Sequence, residues 1–159
     1  MIEDNPLIFA PHSISPATFQ RVLRAARSPA FVETEALLAA LDYWNADRGI
    51  ALAFFAKESS FGLRGVAVRT RNWGNLRRGK RMIAQTAHPF AVYARWTDGL
   101  NDWCELLKKY YCEQRGLCRL RQILPRYAPS SDGNAPERYA DFVVATVRRW
   151  QAEERSGHR

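Results

Sequence analysis

Residues 50–56 read Ile-Ala-Leu-Ala-Phe-Phe-Ala, apolar at every position. A helix built from them has no face to give to water, so it must run through the middle of a domain with other elements packed around it. Asp47 stands where an N-cap for that helix is expected. The helix ends in Lys57-Glu58-Ser59-Ser60-Phe61-Gly62, with Gly62 as the expected left-handed stop. A carboxylate, Glu58, therefore falls one turn beyond Phe54 and Phe55, at the end of a segment that should be dry.

The flanking sequence supplies the elements that would surround such a helix. Ser15-Pro16 reads as an N-cap with proline in the first helical position, followed by Phe19, Val22, Leu23 and Ala26 at helical spacing. Ser28-Pro29 stops that helix, and a second runs from about Thr34 to Trp44. From Leu63 to Trp96 the periodicity weakens into loops with at most a short hairpin, and Phe90 to Trp96 is expected as one strand. Thr97 is the expected cap of a helix whose Leu100, Trp103, Cys104, Leu107 and Tyr111 form one stripe. Leu120 to Tyr127 predicts a short helix, residues 128–134 a turn-rich segment, and Pro136 the start of a last helix. That helix should turn Tyr139, Phe142, Val143, Thr146, Val147 and Trp150 inward. The expectation is a mainly α domain at residues 15–150, about six helices around a buried central one, with a small irregular or β lobe over a cleft. Residues 1–14 are expected as an irregular arm and 151–159 as a polar tail that frays.

The formal net charge is +8, which favours a polyanionic partner: nucleic acid, a cell wall or an anionic membrane surface. No run reaches membrane-spanning length. The opening Met-Ile-Glu-Asp-Asn-Pro has no basic segment leading into an apolar one, so no signal peptide is expected. The three cysteines, Cys104, Cys112 and Cys118, lack metal-ligand spacing. Cys104 is expected in the core, and Cys112 and Cys118 as reduced thiols unless an oxidising compartment pairs them. Neither metal nor cofactor is implied.

Removing a carboxylate from water raises its pKa. A glutamic acid still protonated near neutrality can give its proton to a leaving oxygen, which is the requirement for breaking a glycosidic bond. Glycosidases commonly add a second carboxylate as nucleophile or as base for water. Between Ser59 and Thr97 there is no acidic residue, while eight are basic: Arg64, Arg69, Arg71, Arg77, Arg78, Lys80, Arg81 and Arg95. Asp98, Asp102, Glu105 and Asp132 could approach Glu58 only through the fold. Otherwise the substrate supplies the nucleophile itself: an N-acetyl group can attack its own anomeric carbon, which restricts the substrate to N-acetylated amino sugars.

The segment 53–62, Ala-Phe-Phe-Ala-Lys-Glu-Ser-Ser-Phe-Gly, resembles the catalytic segment of lysozyme-like bacterial wall hydrolases, and its Glu-Ser-Ser-Phe order is shared with lytic transglycosylases. Later features look more like the endo-β-N-acetylglucosaminidase family. They are Asn72-Trp73-Gly74-Asn75-Leu76-Arg77, then Phe90-Ala91-Val92-Tyr93 with Trp96, then Tyr127-Ala128-Pro129 and Tyr139. The similarity runs from about Ser13 to Trp150. It implies a lysozyme-like fold and cleavage of β-1,4 bonds in peptidoglycan or a related amino-sugar polysaccharide, with Glu58 as proton donor. Substrate contacts are implied for Ser60, Asn72, Asn75 and Tyr127, with Tyr93 and Tyr139 near the reacting sugar. Trp73 and Trp96 would be stacking platforms for pyranose faces. The chain lacks the Gly-Leu-Met-Gln-type segment of lytic transglycosylases and the acidic residue that many glucosaminidases carry in the covering lobe.

Two readings from another class compete. The run Arg69 to Arg81 interleaves cations with one aromatic, as nucleic-acid-binding surfaces do. A recognition helix must expose polar side chains, however, and the apolar third helix cannot serve. The same run suits an anionic wall surface. A non-catalytic glycan-binding module would keep the aromatics and lose the chemistry. For a wall hydrolase the sequence predicts a monomer, made in the cytoplasm and reaching the wall by phage-type release, by non-classical export or as part of a longer protein.

Overall fold

The computed structural model describes residues 1–157 and is mainly helical. Helix α1 (Pro16–Ala25) starts on Ser15, whose hydroxyl accepts from Thr18 N at 3.1 Å, and buries Phe19, Val22 and Leu23. A 3-10 turn (Pro29–Glu33) leads into α2 (Thr34–Trp44), which Asn45 stops in the left-handed region at φ 53°. Helix α3 (Arg48–Ser59) is the central one: every residue from Gly49 to Phe55 is buried. Its stop differs from expectation. Ser60 takes the left-handed position at φ 49°, followed by Phe61 and then Gly62. Ser59 Oγ accepts from Gly62 N at 2.8 Å and so holds the reversal in place of a single glycine.

The lobe beyond α3 holds a single turn of helix, α4 (Ala67–Thr70), and two short strands. Strand β1 (Ala84–Gln85) pairs antiparallel with β2 (Ala91–Val92), Ala84 opposite Val92. The strand expected over Phe90–Trp96 is thus confined to residues 91–92, because Trp96 already opens α5 (Trp96–Glu105). Thr97 lies inside that helix. Its orphan N–H groups are satisfied from another element: Glu33 accepts from Trp96 N and Thr97 N, both at 3.0 Å, and from Thr97 Oγ1 at 2.7 Å. Helix α5 passes without a break into a π-helical stretch, Leu106–Gln114. Cys112 and Cys118 are joined in a disulfide, which corrects the reduced state expected for them; Cys104 is free and buried.

Helix α6 (Leu120–Tyr127), a 3-10 turn (Ser130–Asp132) and α7 (Pro136–Ser156) complete the chain. Helix α7 packs along α3, and α6 along α7. Gly49 permits the first contact: a Cβ there would meet Val147 Cγ1 at 3.0 Å and drive into the Ser13 hydroxyl. The tail expected to fray from Gln151 instead continues α7 to Ser156, and Gln151 ties down the arm by donating to Ser13 O and accepting from Ile2 N. The last two tail residues lie outside the described ones. Phe142, expected inside, is 36% exposed. The N-terminal arm is integral to the fold: Ile8 and Ile14 are buried, Ile8 N donates to Cys118 O, and Asp47 N donates to Ile8 O. Among the described residues no helix is long and apolar enough to cross a membrane.

Candidate active site

The two phenylalanines of α3 face different neighbours. Phe55 stacks on Trp73 with ring centroids 4.0 Å apart and also meets Trp96 at 5.2 Å. Phe54 packs against Tyr127, Tyr139 and Trp103 at 5.1–5.3 Å. The helix thereby fixes a tryptophan cluster on one side and a tyrosine pair on the other. Glu58, one turn on from Phe54, emerges beside the tyrosines.

Each Glu58 oxygen has a protein donor. Tyr139 Oη donates to Oε1 at 2.7 Å and Asn75 Nδ2 donates to Oε2 at 3.0 Å. The same Asn75 nitrogen also reaches the Glu58 main-chain carbonyl at 3.1 Å, so a single amide braces both the side chain and the last turn of α3. Burial raises the Glu58 pKa above the ordinary carboxylate value. The bonds from Tyr139 and Asn75, then the charge of Lys57, pull it partly back. Burial also holds the Tyr127 and Tyr139 hydroxyls well above the usual phenol value, with the nearby Glu58 carboxylate adding to it, so both remain donors.

Glu58 opens into a cavity of about 550 Å³. One wall is Gly74-Asn75-Leu76-Arg77 with Phe90; the other is Arg126 to Pro129 with Asp132 and Asn134, and Leu106 and Tyr111 also contribute. Tyr127 Oη donates to Gly74 O at 2.6 Å and bridges the walls at the cavity floor. A side chain at Gly74 would collide with that hydroxyl and with the Trp103 ring.

The sequence-predicted residues divide cleanly. Glu58, Asn75, Tyr127 and Tyr139 come together. Asn72 is fully buried behind them: its amide donates to Leu76 O and Ala91 O and accepts from Leu76 N, which shapes the loop that carries Asn75. It positions a contact residue and does not face the cavity. Trp73 is corrected outright as a sugar platform, since it is fully buried and its indole N–H donates to Ala51 O at 2.9 Å, pinning the lobe to α3. Trp96 is likewise buried, against Phe55 and Gly62. Tyr93 is buried away from Glu58, and burial and then the charge of Asp102 raise its pKa. Ser60 serves the helix stop and does not line the cavity.

Of the acidic residues left open, Asp98 pairs with Arg95, and Asp102 and Glu105 pair with Arg81. Asp132 alone of these borders the cavity of Glu58. Of the other lining residues, Tyr111 is read from the sequence only as part of a helical stripe, and Arg126 and Asn134 have no site reading; the adjacency of Arg126 to Tyr127 is the one local hint. Among the described residues no group of three or more His, Cys, Asp and Glu side chains gathers as metal ligands. The chain matches no protein-family model, and a search of curated proteins finds no match.

Proposed function

We propose that the chain is a peptidoglycan glycan-strand hydrolase with a lysozyme-like fold, an endo-β-N-acetylglucosaminidase that cleaves β-1,4 bonds between N-acetylated amino sugars. The observation that carries this reading is Glu58: a carboxyl with a raised pKa, held at both oxygens, opening into a cavity large enough for sugar rings. In the protonated form it donates to the leaving glycosidic oxygen. The sugar's own N-acetyl oxygen bonds to the anomeric carbon as the leaving oxygen departs; water, giving a proton to the Glu58 carboxylate, then attacks that carbon and breaks the new bond, which restores the acid. The lack of acidic residues in the covering lobe favours this one-acid route. Asp132 on the same cavity supports a second scheme, in which it takes a proton from an attacking water.

The Cys112–Cys118 bond suits a chain that reaches an oxidising, extracytoplasmic setting such as the wall. Much of the basic run is exposed, as contact with an anionic wall requires. Incubation with purified sacculi and mass analysis of the products tests the reading. Reducing-end N-acetylglucosamine is expected; reducing-end muramic acid would make it a muramidase, and anhydro-muramic ends a lytic transglycosylase. Intact sacculi with wild-type protein would leave a non-catalytic glycan binder or, if DNA is bound in preference, a nucleic-acid-binding module.

A further inference from the structure

Several arginines of this chain are held in ion pairs with acidic side chains. Arg81 pairs with Asp102 at 2.6 Å, Arg95 with Asp98 at 3.0 Å, Arg121 with Glu137 and Asp141, Arg119 with Glu3, and Arg148 with Asp4. Arg77 and Arg126 are not so paired, and among the described arginines these two alone line the cavity of Glu58. They come from separate elements, one from the loop after Asn75 and the other from the last turn of α6, and they line the same cavity as Glu58. Among the described residues neither guanidinium has an ion-pair partner. The cavity also holds the carboxyl groups of Asp132 and Glu58, so the two cations face a single negative charge when Glu58 carries its proton. In that state the excess cation in a concave site raises the local potential for an anionic ligand, and the guanidinium fork matches a carboxylate in two parallel hydrogen bonds.

We infer that Arg77 and Arg126 form a carboxylate-binding subsite beside Glu58, so that the favoured glycan carries a carboxylate close to the bond that is broken. This rests on the glycan-cleaving reading of Glu58 and narrows it: neutral chitin-like chains become poor ligands. Two parts of a wall glycan offer that chemistry, the lactyl ether of a peptide-free sugar and the peptide stem.

The test is equilibrium binding to the Glu58→Gln chain, which leaves the oligosaccharides intact. Three ligands of equal length are compared: a neutral N-acetylglucosamine oligomer, a peptide-free wall glycan with free lactyl carboxylates, and the same glycan bearing peptide stems. At least one carboxylated ligand is expected to bind about tenfold or more tightly than the neutral one, and whichever does so identifies the source. Arg77→Gln/Arg126→Gln should abolish that preference and leave neutral binding unchanged. Both arginines are exposed, so the fold does not depend on them. Equal binding of all three ligands overturns the inference, as does an equal loss for neutral and charged ligands in the double variant. If none binds, the glycan reading itself fails and takes the subsite with it. Should Glu58→Gln misfold, the wild-type chain with thio-linked oligomers gives the same comparison.

Discussion

Helix α3 carries a carboxylate near each end, Asp47 buried and Glu58 half-buried, and their partners differ in kind. Asp47, at the N-terminus, accepts three hydrogen bonds at 2.7–2.8 Å: from Ile50 N, Ser13 N and Ser13 Oγ. Two of those donors are main-chain N–H groups, which cannot reverse their role. Glu58, at the C-terminal end, accepts only from side chains, and one of them is a hydroxyl that can also accept. The helix dipole favours an anion at the first position and opposes it at the second. Burial raises both pKa values. Yet Asp47 is spent on joining arm to helix, whereas Glu58 opens into a cavity, where the proposed reaction would take its proton. A raised pKa alone therefore does not mark a catalytic acid; the partners decide.

The largest expected effect separates the two ends by activity. Glu58→Gln should lower glycan turnover by about 10³-fold, within the range a positioned general acid supplies, while leaving the fold intact. The Gln amide can turn its N–H₂ toward Tyr139, whose hydroxyl can accept. The stability change has a defined sign. With the folded pKa above the unfolded value, the unfolded chain releases its proton first as pH rises, so stability falls through the window between the two values. Glu58→Gln removes that loss and should equal or exceed the wild-type midpoint in neutral thermal melts. A clear fall in the neutral midpoint would make Glu58 a structural acid and sink the comparison.

Asp47→Asn is the mirror experiment. Its amide must point N–H₂ at Ser13 N or at the Ile50 N and Ser13 Oγ pair, and every orientation leaves a donor facing a donor. The loss of a helix cap together with a buried unmet N–H should cost about 2–3 kcal/mol, read from denaturant midpoints, with turnover per folded molecule unchanged. The disulfide provides a smaller lever on the same end. Cys118 O receives Ile8 N, and Ile8 O receives Asp47 N, so the bridged corner feeds into the cap through the arm. Cys112→Ser with Cys118→Ser should cost about 2 kcal/mol, the loop-closure value for so short a ring. Hydrogen exchange should quicken at Ile8 and Asp47 before it does at Glu58. Uniform acceleration would show that the two ends are not separable.

Much of this contrast was legible before the fold was known. The unbroken apolar run from Ile50 to Ala56 forced α3 into the centre, and the short polar side chain at Asp47 marked its cap. Glu58 stood out because a carboxylate follows that run. The tryptophans misled: an aromatic in a glycine- and asparagine-rich loop suits a sugar platform as well as a wedge, and only the position of Phe55 sends Trp73 inward. Nothing local could have placed Glu33 at the start of α5 or Asp132 at the rim of the cavity, since both depend on contacts between segments distant in sequence. The pairing of Cys112 with Cys118 was open on spacing alone, and the turn that brings their Cα atoms to 4.4 Å decides it.

The finest distinction lies within the Glu58 end itself. Tyr139 donates to the carboxylate, so its bond stabilises the ionised form and holds the pKa lower than burial alone would set it. Tyr139→Phe removes that donor without opening a large void, because the ring still packs on Phe54. The Glu58 pKa should then rise further, and the alkaline limb of the kcat/KM profile should move to higher pH, since the acid must be protonated to act. The maximal rate should fall by about tenfold, because Oε1 loses the contact that aims it, a deficit comparable to one hydrogen bond to a charged group. Asn75→Ala should shift the limb in the same direction, with a larger fall in rate, because Asn75 also braces the Glu58 carbonyl. A limb that moves to lower pH in the Phe variant would mean that the titrating group is not Glu58, or that it acts as a base.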